Sequence, residues 1–117
     1  MIAIVDDDDD MRQALSDLLL VLGLSSSTYD RAEAFLGEYE RGVFACVVTD
    51  VRMSGMSGLE LLRHLRGLGD SVPVIVITSD GSPNTRRQAL EGGAHAFMTK
   101  PVEDDVLLGH LQSALGR

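Results

Sequence analysis

Two kinds of hydrophobic pattern alternate along this chain. Unbroken apolar runs of strand length occupy residues 2–5, 43–48 and 72–77; a weaker run covers 94–98, and residues 27–29 form a marginal fifth. Residues 2–5 and 72–77 hold only apolar residues and Pro73, and they are rich in Val and Ile. Strands of a parallel sheet covered on both faces read this way, because neither side of the pleat meets water.

Between these runs the apolar period lengthens to that of a helix. Leu15, Leu18, Leu19 and Leu22 follow the i, i+3, i+4, i+7 spacing, and Gly23 stands where a helix C-terminal glycine belongs. DRAEAFL offers Asp30 as an N-cap with Glu33 three residues on, and SGLELLRHLR repeats the device with Ser57 and Glu60. In SPNTRRQALEGG, Ser82 is the cap, Pro83 takes the first helical position and Gly92-Gly93 is the stop. A last helix from about Glu103 carries Leu108, Leu111 and Leu115 on one face, with Glu103, Asp104 and Asp105 near its positive N-terminal dipole. Five strand candidates alternating with five helix candidates predict a doubly wound α/β fold with right-handed crossovers.

Length and charge narrow the function. The 117 residues suit a single domain spanning 1–117. Ten basic against 18 acidic residues give −8 at pH 7, which argues against direct nucleic-acid binding and points to a metal cation or a basic protein surface as counter-charge. The single cysteine, Cys46, lies inside an apolar run and reads as a small buried hydrophobe, so a reducing compartment is expected. A strand from Ile2 leaves no room for a signal peptide, and no apolar stretch approaches the ~20 residues of a membrane span. A soluble, cytoplasmic protein is the expectation.

The polar residues that end the apolar runs carry the chemistry. Asp6 and Asp7 follow the first, Thr49 and Asp50 the next long run, Thr78 and Ser79 the third, Thr99 and Lys100 the last. In open α/β sheets such residues gather outside the carboxyl ends of the strands. Three carboxylates brought together there need a cation, and hard oxygen ligands without His or Cys favour Mg²⁺ over zinc. Lys100 and the Thr78 hydroxyl add a positive charge and a donor suited to phosphoryl oxygens, and a carboxylate so placed can become an aspartyl phosphate. A polar residue where a buried strand meets water explains any one of these positions; it does not explain Asp6, Asp7, Asp50, Thr78 and Lys100 together. In the opening run of five aspartates, Asp8 or Asp9 is then the helix cap and Asp10 sits near the helix's positive end.

Four motifs, IVDDD, VVTDVRMSGMSGLELL, VIVITSDG and AFMTKP, resemble in order and spacing the receiver domain of two-component response regulators, over the whole chain. The resemblance implies a flavodoxin-like, five-stranded parallel sheet of order 2-1-3-4-5 with five helices. It implies that Asp50 accepts a phosphoryl group from a phosphohistidine on a sensor histidine kinase. Asp7 would bind Mg²⁺ directly, Asp6 through water, and Asp50 and the Arg52 backbone carbonyl would complete the protein ligands. Thr78 would turn toward the phosphoryl group, Phe97 would move inward behind it, and Lys100 would pair with the phosphoryl oxygens. Lys100-Pro101 is expected cis, and the output face would be the fourth helix, fifth strand and fifth helix. Such a domain catalyses only its own phosphorylation and dephosphorylation.

RAEAFL, DVRMSGMSGLELLRHLR and PVIVIT look most like the FixJ-type subgroup, whose receivers precede a helix-turn-helix DNA-binding domain. No such output domain is present in this chain, and the ending SALGR reads as an excised receiver in preference to a single-domain regulator. Phosphorylation-dependent homodimerisation and control of transcription are further expectations of the resemblance. Two departures stand out. The usual MPxM loop reads Met53-Ser54-Gly55-Met56, so a restricting proline is missing and a looser loop is expected. Ser79 and Asp80 flank the site and, with Arg52, are candidate modulating residues. A haloacid-dehalogenase-like hydrolase with Asp6 as nucleophile is the competing reading; it would need a longer chain with a cap. His64, in LLRHLR, reads as a surface residue on the wet side of a helix and not as a phosphohistidine, while His95 and His110 lack metal-ligand spacing and read as structural.

Overall fold

The computed structural model describes residues 1–116. Five strands, β1 (Ile2–Val5), β2 (Ser26–Tyr29), β3 (Cys46–Asp50), β4 (Val74–Thr78) and β5 (Ala96–Thr99), alternate with five helices, α1 (Asp9–Val21), α2 (Ala32–Glu38), α3 (Gly58–Gly67), α4 (Pro83–Glu91) and α5 (Asp104–Ala114). The strands pair in parallel in the order β2-β1-β3-β4-β5. This is the doubly wound topology expected from the sequence.

The alternation of strand side chains builds a core on each face of the sheet. Ala3, Val5, Val47, Val74 and Val76 pack against Phe35 of α2, Leu61, Leu62 and Leu65 of α3 and Ala89 of α4. Ile2, Ile4, Val48, Ile75 and Ile77 pack against Leu15 and Leu19 of α1 and Leu107 and Leu111 of α5. Every residue of β1, β3 and β4 is buried, as their apolar runs predict, and the polar Thr49, Asp50 and Thr78 that end β3 and β4 are buried with them.

Helix ends follow their capping residues. Asp8 caps α1, its side chain accepting from the N–H groups of Asp10 and Met11. Ser57 and Glu60 form a reciprocal capping box on α3, and Ser82 accepts from Thr85 N–H ahead of Pro83. Gly23 and Gly93 follow α1 and α4 with φ of 77° and 95°, a region open to glycine without penalty.

Four expectations are corrected. The third strand starts at Cys46 and runs on to Asp50: Gly42 turns the chain at φ 88°, Val43 is exposed, and Cys46 is the first residue in register, opposite Ile2. Likewise β4 and β5 end one residue beyond their apolar runs, on Thr78 and Thr99, which pair with each other. Asp30 does not cap α2; Arg31 holds the cap position without a side-chain bond, and the Asp30 carboxylate pairs with Arg31. On α5 the buried positions are Leu107 and Leu111, with Leu108 and Leu115 only half-buried, because Leu107 lies one turn from Leu111 on the side facing Ile4 and Ile77.

Candidate functional site

The sheet order reverses at β1: the chain leaves it toward β2 on one side and returns through β3 on the other. The crevice outside those two carboxyl ends is where Asp6 and Asp50 emerge. Both are buried, at 3% and 8% exposure, while Asp7 is exposed. One oxygen of each of the three carboxylates lies within 4.8 Å of the others.

Lys100, on the segment after β5, spans the two buried acids. Its Nζ donates to Asp6 Oδ2 at 3.2 Å and to Asp50 Oδ2 at 3.1 Å. The remaining oxygens are also held: Asp6 Oδ1 accepts from Asp8 N–H and Asp50 Oδ1 from Val51 N–H at 2.7 Å. Burial, with the neighbouring Asp50 charge, pushes the Asp6 carboxyl above the usual carboxylate range despite the Asp8 N–H and Lys100. Burial draws the Lys100 ammonium down, but Asp50 and Asp6 outweigh it and hold it above its ordinary value. A carboxylate crowd short of positive charge is thus partly neutralised by one ammonium and leaves Asp7 facing water.

Thr78 is wholly buried at the end of β4, and its Oγ1 accepts from Asp80 N–H at 3.0 Å, leaving the hydroxyl proton to donate. The Lys100-Pro101 bond is cis, as expected. Phe97 is half-buried on β5, packed on the core beneath the Arg86 guanidinium, 5.9 Å from its ring centre. Not every residue that ends a strand joins the cluster. Thr49 turns inward and donates to the Asp50 carbonyl, Ser79 is exposed, and the Thr99 methyl lies against Gly81.

The donor set fits a hard divalent cation: three carboxylates, oxygen only, with no His or Cys in the group. Asp6, Asp7 and Asp50 are the side chains that could hold it. The Arg52 side chain turns away to Asp80, with Nη2 3.1 Å from Oδ2.

A model of the response regulator receiver domain matches residues 2–112. The chain belongs to the response regulator receiver family. Two curated relatives are the response regulator protein TodT of Pseudomonas putida, 39% identical over 98% of this chain and 51% of TodT, and the transcriptional regulatory protein FixJ of Bradyrhizobium diazoefficiens, 38% identical over 97% of this chain and 56% of FixJ. This receiver therefore spans about half the length of the curated relatives it matches. Among solved structures, the response regulator StyR superposes with a TM-score of 0.91 at 36% identity, covering 98% of this chain and 58% of StyR. These relatives bear out the FixJ-like resemblance and set aside the hydrolase reading.

Three features of the receiver's site go beyond its sequence, although Asp80 and Arg52 are candidate modulating residues there. Asp80 is the hub of the β4–α4 turn, accepting from Ser82 N–H, the Thr85 hydroxyl and Arg52, and these bonds hold its carboxyl down to about 2. Its spacing to Ser82 and Thr85 was the available signal. Gly58, at the first position of α3, packs so closely under β3 that a Cβ there would overlap the Asp50 carbonyl oxygen. Its signal was a glycine at a helix position otherwise open to any residue. Finally, the loop after Asp50 carries two bonds to other segments: Ser54 N–H donates to Asp7 at 3.3 Å and Met56 N–H to Glu33 at 3.2 Å.

Proposed function

We propose that this receiver takes a phosphoryl group onto Asp50 from a phosphohistidine of a sensor histidine kinase. The observation that carries the reading is the Lys100 ammonium shared between Asp6 and Asp50 with Asp7 beside them. An Asp50 oxygen attacks phosphorus, an O–P bond forms as the P–N bond breaks, and the imidazole leaves with the electron pair. Asp7, Asp50 and the Arg52 backbone carbonyl, with Asp6 through water, would hold Mg²⁺, which when bound would supply positive charge for the transferring oxygens. Lys100 moves from Asp6 toward the phosphoryl oxygens, and Thr78 donates its free hydroxyl proton to them. As Thr78 turns, Phe97 swings inward from beneath Arg86.

Residues 1–117 act as one receiver domain whose only catalysis is its own phosphorylation and dephosphorylation. Its output surface is the α4–β5–α5 face, where a shallow groove of about 260 Å³ is lined by Phe97, Met98, Thr99, Pro101, Glu103 and Val106. Its partners are the kinase, a DNA-binding output domain in the full-length regulator and a second phosphorylated copy; it contacts neither nucleic acid nor membrane itself. No helix among the described residues is long and apolar enough to cross a membrane, in keeping with a cytoplasmic regulator of transcription.

Incubation with acetyl phosphate and Mg²⁺, followed by intact-mass measurement, tests the assignment. The wild type gains one phosphoryl group, and Asp50→Asn gains none. Phosphorylation that survives in Asp50→Asn would refute Asp50 as acceptor. Turnover of varied phosphomonoesters would refute the restriction of its catalysis to its own phosphoryl group.

A further inference from the structure

Asp7 is held differently from its two partners. Asp6 and Asp50 are buried, each with one oxygen on a backbone N–H and the other on Lys100. Asp7 is exposed, has no bond to Lys100, and among the described residues the one hydrogen bond to its carboxylate comes from Ser54 N–H, on Oδ2 at 3.3 Å. An exposed aspartate without a partner samples several rotamers, and fixing it on a cation costs side-chain entropy. The Ser54 amide takes up one oxygen and leaves Oδ1 for a metal.

Ser54 itself is positioned by its loop. Met56 N–H is bonded to Glu33 Oε2 of α2, and Gly55, at φ 79°, packs against that same carboxylate, so a Cβ at Gly55 would collide with it. After Ser54 the loop is tied to α2 through Met56, and Gly58 N–H donates to the carbonyl of Val51, the residue after β3, at 2.9 Å, so the two ends of the loop are closed on each other. A proline at position 54, the residue usual in loops of the MPxM pattern, has no N–H and could not make the bond.

We propose that the Ser54 backbone amide is a positioning group for the cation, orienting Asp7 for Mg²⁺ and coupling metal uptake to the β3–α3 loop. The proposal rests on the Mg²⁺-dependent reading given above. An outer partner of a metal ligand acts by presenting the ligand in its binding orientation, and its removal typically costs tenfold or more in affinity. Because Asp7 is wet, the low end of that range applies here. The hydroxyl of Ser54 plays no part, so the residue's identity matters only through whether it carries an N–H.

Calorimetric Mg²⁺ titration of wild type, Ser54→Ala and Ser54→Pro tests this. Ser54→Ala binds as the wild type does, and Ser54→Pro binds roughly tenfold more weakly. A Ser54→Pro affinity equal to the wild type overturns the proposal, as does equal weakening in Ser54→Ala. If the wild type takes up no Mg²⁺ at all, the metal reading itself falls and takes the proposal with it. Should Ser54→Pro not fold, amide hydrogen exchange of the wild type decides: Ser54 N–H is protected, loses protection in Asp7→Ala, and keeps it when Mg²⁺ is added. An unprotected Ser54 amide, or protection abolished by Mg²⁺, shows that the amide does not orient Asp7 for the cation.

Discussion

At the scale of single residues, the site is an unequal contest between charge and burial. Among the described residues Lys100 is the one cation bonded to the carboxylates of Asp6 and Asp50, so replacing it by methionine removes the partner they share. Lys100→Met is expected to lose about 1–3 kcal/mol in chelator at pH 7, the cost of buried groups left without a partner, and to regain much of it on adding Mg²⁺. Denaturant melts with and without the ion measure the difference; equal stability of variant and wild type in chelator would contradict the account. At the opposite end of the sheet, Asp70 is buried and accepts from the Tyr39 hydroxyl and from Val72 N–H. Burial and this bond push the Tyr39 phenol up to about 12 from 10.0. A phenol that holds its proton longer when folded stabilises the fold fully below pH 10, and that stability drains away as pH rises toward 12. Asp70, drawn below its usual 3.8 by the bonds that outweigh its burial, contributes above that pH and loses its contribution in acid. Melting temperature against pH should therefore fall less steeply in Tyr39→Phe than in wild type over the alkaline window, and parallel curves would exclude the linkage.

At the scale of elements, two loops flank Asp50 and meet in the Arg52–Asp80 pair, which joins the segment after β3 to the turn after β4. The Asp80 carboxylate is committed to Ser82, Thr85 and Arg52, which leaves it poorly placed to activate a water and well placed to hold the turn. Arg52→Ala and Asp80→Ala are each expected to shorten the lifetime of the phosphorylated form by opening the site to water. The double variant should be no shorter-lived than the more affected single one, since both remove one contact. Additive effects measured by loss of phosphoryl mass over time would show the two residues acting separately.

At the scale of the whole molecule, the sheet and its two helical layers give the site its rigidity. Leu111 is fully buried on α5, whereas Leu108 is half-buried on the next ridge. Leu111→Ala should cost about 2–5 kcal/mol, as core truncations do, and Leu108→Ala distinctly less. Urea midpoints read this directly, and a reversed order would place the core on the face the leucine spacing first suggested. Both variants keep the strand-end residues, so both should still take up a phosphoryl group while folded.

What the sequence determined by itself is whatever acts over a few residues or follows from periodicity. The apolar runs and helical spacings set five strands and five helices; the caps at Ser57 and Ser82, and one at Asp8 or Asp9, act within one turn, and Asp6, Asp7, Asp50, Thr78 and Lys100 were legible because each lies within two residues of the end of an apolar run. Tertiary structure alone decided how those ends pair and which neighbours turn away. Lys100 bridging Asp6 and Asp50, Arg52 reaching Asp80, Ser54 N–H meeting Asp7 and Gly58 fitting beneath Asp50 all join residues from different segments. Their pairing depends on sheet order and loop path, which local pattern does not encode: a strand's period says that a side chain faces inward, and only the packed neighbour says what it meets there.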